Sequence, residues 1–135
     1  MWAVLKFNDK NLSLLREDLS NKLGKDFKIY IPKLRIQRYK NKKLITKEIN
    51  LLGDYLFCFH KNLEDHKILN SLKFIRGLRY FLEGFTGSQN DIRNFIAKCK
   101  ESESKEGYLS RNFFDLDINK KYRFSSGPFA NKIFK

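Results

Sequence analysis

Apolar residues recur along the chain with two different periods, and each change of period marks an element. Bulky residues run from Trp2 to Phe7 and stop at the turn-prone pair Asn8-Asp9, which predicts a first strand. Leu12, Leu15, Leu19 and Leu23 then recur at three- and four-residue steps, with Gly24 where a helix would take a left-handed stop. That predicts a first helix, with Lys10, Arg16 and Lys22 on its outer face. Phe27 to Ile31 alternate as a strand, after which the apolar parity flips to Leu34 and Ile36. Pro32 sits at the flip, so a bulge or bend is expected there. Tyr39 to Lys43 form a polar, basic turn, and the chain returns through Leu44 to His60 as an antiparallel partner.

The alternation is strongest from Asp54 onward, with Tyr55, Phe57 and Phe59 on one face and Leu56, Cys58 and His60 on the other. A strand apolar on both sides belongs in the middle of a sheet, with at least one face under helices. Ile68, Leu69, Leu72 and Ile75 predict a second helix closed by Gly77, and Leu78 to Glu83 alternate as a further strand. Ser88 followed by Asp91 has the form of a capping box, and Ile92, Phe95, Ile96 and Cys99 follow at helical spacing. Glu101 to Gly107, polar and uneven, reads as a linker. The order strand, helix, strand, strand, helix, strand, helix predicts an α+β domain of the ferredoxin-like, split βαβ kind, a four-stranded antiparallel sheet packed with helices. Tyr122 to Phe124 suggest one more strand, but the residues from Ile118 on are too few for a core of their own. The expected organisation is therefore a domain over 1–104, a linker over 105–117 and a stub over 118–135.

Charge changes this picture more than composition does. A 41% hydrophobic and 15% aromatic content excludes a disordered chain, whereas the net charge of +13 points to a polyanion or an acidic protein surface as partner. Between Lys25 and Asn50 nine basic residues face two acidic ones, so more than half of the excess charge lies on one hairpin. Lysines on an edge discourage strand-to-strand aggregation, but the clustering exceeds that need and suits a phosphate-facing arm. No apolar run reaches the roughly 18 residues of a membrane span, and the first residues lack the pattern of a signal peptide, so a cytoplasmic monomer without membrane contacts is expected. Cys58 and Cys99 both fall on apolar faces and read as reduced core residues.

Catalytic signals are weak. HExxH, GxSxG and GxxxxGK[ST] are all missing from the sequence. Cys58 and His60 share a strand face, but two more metal ligands are not in evidence near them. His66 beside Glu64 and Asp65 reads as a surface cluster, and Asp115 and Asp117 as a solvated pair. No enzymatic activity and no cofactor are expected, although a small ribonuclease using His60 or His66 is a competing idea. A basic RNA-binding module with aromatics exposed on the sheet is the stronger alternative.

Four segments, in order, resemble the amino-terminal domain of the NusG family of transcription elongation factors, including its specialised RfaH-like members. Trp2 matches the family's opening tryptophan strand, and Leu51-Leu52-Gly53-Asp54-Tyr55-Leu56-Phe57 falls at a turn where the family has proline and this chain has Gly53. Arg76-Gly77-Leu78-Arg79-Tyr80-Phe81 is similar to the Arg-Gly-Val segment of the specialised members, and Ser126-Gly127-Pro128-Phe129-Ala130 to the signature opening the family's KOW domain. The resemblance implies an elongation and antitermination factor that grips the β′ clamp helices of RNA polymerase, bridges the cleft and reduces pausing. It places Tyr55, Phe57 and Phe81 in the apolar clamp-binding patch, and Lys22, Lys73, Arg76 and Arg79 near non-template DNA or nascent RNA. It also implies an incomplete KOW domain, and hence none of that domain's contacts with termination factor or ribosome.

Overall fold

The computed structural model describes residues 1–109. The strand expected at Tyr122 to Phe124, the KOW-like segment at Ser126 to Ala130, the pair Asp115 and Asp117, and the 118–135 stub lie outside the described residues.

Among the described residues six strands, β1 (Trp2–Phe7), β2 (Lys28–Tyr30), β3 (Lys33–Lys40), β4 (Lys43–Asn50), β5 (Tyr55–Phe59) and β6 (Leu78–Phe81), combine with helices α1 (Leu12–Leu23), α2 (His66–Leu72) and α3 (Gln89–Ser102). The chain is thus a mixed α+β structure. Four strands form one sheet in the order β2-β5-β1-β6, antiparallel at every seam, and β3 pairs with β4 as a separate ribbon. β5 sits between β1 and β2, as its two-sided apolar alternation predicts. Leu56, Phe57 and Cys58 are all fully buried, so both faces of the sheet are covered at this strand.

α3 covers the face that carries Phe57, since the Phe95 ring lies 5.8 Å from the Phe57 ring. α1 lies on the other face, where the His60 ring reaches the Leu23 carbonyl. Leu15 and Leu19 are the buried positions of α1, and Ile92, Phe95, Ile96 and Cys99 those of α3, at the helical spacing read from the sequence. Gly77, entering β6, has φ +82°, and a Cβ there would stand 2.8 Å from the Asn11 carbonyl oxygen and 3.0 Å from the Leu15 Cβ. Only glycine lets β6 approach the start of α1 so closely.

Two expectations change. The start of α3 is not held by a Ser88 side-chain cap; it follows a short 3-10 turn, Thr86–Ser88, and is moored by Gln89 instead. The Gln89 amide accepts from the Trp2 N–H at 2.8 Å and donates to the carbonyls of Trp2 at 2.5 Å and Phe85 at 2.8 Å. The linker expected from Glu101 to Gly107 is shorter than the sequence suggests. α3 runs on to Ser102, and after a turn Leu109 packs into the core with 1% exposure, bridging Leu34. The Leu109 N–H donates to the Lys33 carbonyl at 2.7 Å and the Arg35 N–H to the Leu109 carbonyl at 3.2 Å, so the chain at Leu109 clasps the base of the ribbon.

Candidate functional site

The mooring of α3 decides which part of the sheet stays open. Gln89 ties the helix start to Trp2, at one end of β1, and Phe95 seals Phe57 under it. Lys6 lies at the opposite end of β1, paired across the strands with Tyr55 on β5 and Tyr80 on β6. Directly opposed residues of antiparallel strands project to the same face, so these three side chains form one row. The Lys6 ammonium stands 5.8 Å from the centroid of the Tyr55 ring and 5.9 Å from that of Tyr80, within the reach of cation–π attraction. Tyr80 is 48% exposed and Tyr55 half-buried.

Next to this row is a cleft of about 460 Å³, lined by Tyr55, Tyr80, Phe81, Leu82 and Glu83. Leu82 is buried, while Glu83 is exposed. The Tyr55 phenol is pushed above its ordinary value, first by its hydrogen bond with Tyr80 and then by burial and nearby negative charge. The cleft combines aromatic surface and one carboxylate, with the Lys6 ammonium in the adjoining row, the makeup of an anchoring pocket for a protein side chain.

Of the three clamp-patch residues expected from the sequence, Tyr55 and Phe81 line this cleft and Phe57 does not. Phe57 is fully buried, its ring 6.5 Å from Trp2, 6.4 Å from Tyr30 and 5.8 Å from Phe95. It is a core residue, because α3 closes over the position two residues beyond Tyr55. Lys6, Leu82 and Glu83 were not singled out from the sequence. The alternation of β6 placed Tyr80 on one face of its strand, but only the cross-strand register brings it beside Tyr55.

The basic residues divide differently. The Arg76 guanidinium donates to both carboxylate oxygens of Asp18, at 2.7 and 3.1 Å, its backbone N–H donates to the same carboxylate at 2.9 Å, and Glu17 lies 3.6 Å away. These bonds hold the Asp18 carboxyl down at about 2 and raise the guanidinium further. Arg76 thus fastens the entry of β6 to α1, through an ion pair that leaves its side chain 53% exposed. Lys22, which also acts on Asp18, is exposed on α1. Lys73 is exposed at the end of α2 beside the Phe74 ring, itself 90% exposed, and Arg79 is exposed on β6.

His60 has a structural task. Its Nδ1 accepts from the Asn62 N–H at 3.1 Å, which leaves Nε2 to donate to the Leu23 carbonyl at 3.2 Å. With both nitrogens engaged and 4% exposure, it is badly placed to serve as a general base. Cys58 and Cys99 are buried free thiols, each pushed up to about 12, chiefly by burial. Among the described residues no three His, Cys, Asp or Glu side chains converge as a metal site would require, and no helix is long and apolar enough to cross a membrane. Neither the protein-family models nor the curated proteins compared with this chain match it.

Proposed function

We propose that this chain is a NusG-type transcription elongation and antitermination factor that works in the cytoplasm, docks on the β′ clamp helices of RNA polymerase and reduces pausing. The observation that carries the reading is the open cleft at Tyr55, Tyr80 and Phe81, because two of the three residues that the resemblance assigns to the clamp-binding patch meet there. The strand order β2-β5-β1-β6, with β1 and β2 flanking β5, supports it as the order expected of a ferredoxin-like split βαβ sheet. Lys22, Lys73, Arg76 and Arg79 are the candidates for contact with displaced non-template DNA, Arg76 also holding the β6 entry in place. A second reading, a single-stranded RNA module, draws on the same row, since two tyrosines flanking a lysine on an open sheet face can also stack on bases.

Pull-down of purified RNA polymerase separates the two. Truncating a buried aromatic anchor costs about 2 kcal/mol or more, roughly thirtyfold in affinity, so Tyr55→Ala and Tyr80→Ala should each abolish capture and the shortening of pause lifetimes. A wild-type protein that leaves pause lifetimes unchanged, yet binds single-stranded RNA through the same tyrosines, would refute the elongation-factor reading in favour of the second.

A further inference from the structure

The β3–β4 ribbon stands apart from the four-stranded sheet, and its two faces differ. Register pairs Arg35 with Glu48, Gln37 with Thr46 and Tyr39 with Leu44 on one face. At the base that face is occupied: the Arg35 guanidinium stacks 4.1 Å over the Tyr108 ring, and the Tyr108 hydroxyl donates to Glu48. The opposite face pairs Ile36 with Lys47, Arg38 with Ile45 and Lys40 with Lys43. It carries four cations and no acidic residue, and all four are exposed.

The placement of those cations is specific. Arg38 and Lys40 lie on one strand and Lys43 and Lys47 on the other, so both edges of the ribbon present positive charge. At the tip, Asn41 and Lys42 both adopt positive φ, 52° and 64°, as a two-residue hairpin turn requires. Glycine is the usual second residue of such a turn, and a lysine there costs about 1 kcal/mol of backbone strain. A fifth cation is therefore kept at the tip against the local preference. The base is rigidly held, since Leu109 adds its backbone alongside β3 and the Leu51 N–H donates to the Pro32 carbonyl at 2.8 Å.

We propose that this ribbon is a duplex-DNA-binding arm whose Arg38, Lys40, Lys43 and Lys47 face enters the major groove and meets the phosphate rows on both sides. The major groove, about 12 Å wide, admits a two-stranded ribbon, whereas the major groove of duplex RNA is deep and narrow. A single strand fits less well, because this face offers isoleucines between its cations and no aromatic ring for stacking. Ile45, 45% exposed, can rest against the apolar edge of thymine. Contacts to phosphate dominate, so binding is largely independent of sequence.

The test is fluorescence anisotropy with a mixed-sequence DNA duplex of about 20 bp, titrated between about 50 and 200 mM salt without polymerase. Each phosphate contact contributes about 0.9 to the slope of log affinity against log salt, so a variant with Arg38, Lys40, Lys43 and Lys47 all changed to Gln should lose roughly 3 to 4 from the slope. Its affinity should fall at least tenfold. A control with Lys10, Arg16, Lys61 and Lys67 changed to Gln removes the same charge from exposed positions elsewhere and should keep the slope. All eight side chains are exposed, so both variants should keep the wild-type thermal transition. Equal losses in the two variants, no binding of wild type to the duplex, or tighter binding to a single-stranded RNA with as many phosphates would overturn the proposal. Tyr55→Ala should bind the duplex as wild type does, so failure here leaves polymerase docking untouched.

Discussion

Replacing Phe57 by Ala should strongly destabilise the fold rather than unseat the protein from a partner, and Tyr55→Ala should do the reverse. The Phe57 ring is fully buried among Trp2, Tyr30 and Phe95, and no neighbour can close the space without moving α3 off the sheet. Removing such a ring costs about 3–5 kcal/mol, the transfer free energy of the lost atoms plus the cavity left behind. A domain of this size is stable by only about 5–15 kcal/mol in all. With a urea slope of about 1–2 kcal/mol/M, the midpoint should therefore drop by about 1.5 M or more. Phe57→Leu, which nearly conserves volume, should cost only about 1–1.5 kcal/mol. Tyr55 is half-buried at the cleft, so its truncation should move the midpoint by well under half the Phe57→Ala shift. Urea denaturation followed by circular dichroism measures all three. A Phe57→Ala protein with an unchanged midpoint and lost polymerase binding would refute the assignment of this ring to the core.

Gly77→Ala should destabilise by about 2–3 kcal/mol, because positive φ and a Cβ 2.8 Å from the Asn11 carbonyl act together; Gly53→Ala, with positive φ but open space around it, should cost only about 1 kcal/mol in the same urea assay. Asp18 has its folded-state pKa lowered from 3.8 to about 2, so its stabilisation is full above 3.8 and is lost as pH falls through about 2. In thermal melts at stepwise lower pH, Asp18→Asn should remove that part of the acid destabilisation; an acid limb identical to wild type would show that the Arg76 pair does not form. Cys58 and Cys99, at about 12 against an ordinary 9.0, hold about a thousandfold less thiolate than a free cysteine at neutral pH. Iodoacetamide should therefore modify neither in the native protein and both in urea, as counted by mass spectrometry.

What the sequence displayed well was whatever depends on near neighbours. The alternation of Tyr55 to Phe59 and the leucine spacing of α1 each follow from periodicity within one element, and both appear where expected. The parity flip at Pro32 was visible, but its meaning was not. β3 and β4 leave the sheet because β2 pairs with β5, Ile29 opposite Cys58, and that long-range choice ends the edge before the ribbon begins. Likewise the run from Glu101 to Gly107 gave no sign that Leu109 would return to Leu34, since a single leucine beyond it has no period.

The candidate site divides along the same line. Tyr55 and Phe57 share parity, aromatic character and strand, and nothing local distinguishes the ring that meets solvent from the one that is sealed. The distinction comes from Gln89, which bonds the backbone of Trp2 across 87 positions of sequence and so fixes where α3 stops covering the sheet. Arg76 repeats the lesson: beside a glycine turn it reads as a free cation, yet Asp18, 58 positions away, captures it. Charge that is paired early in this way holds the fold, whereas the ribbon's outer face collects four cations with no acid among them. Both groups count equally toward a net charge of +13, but the second has no acid on its own face to offset it.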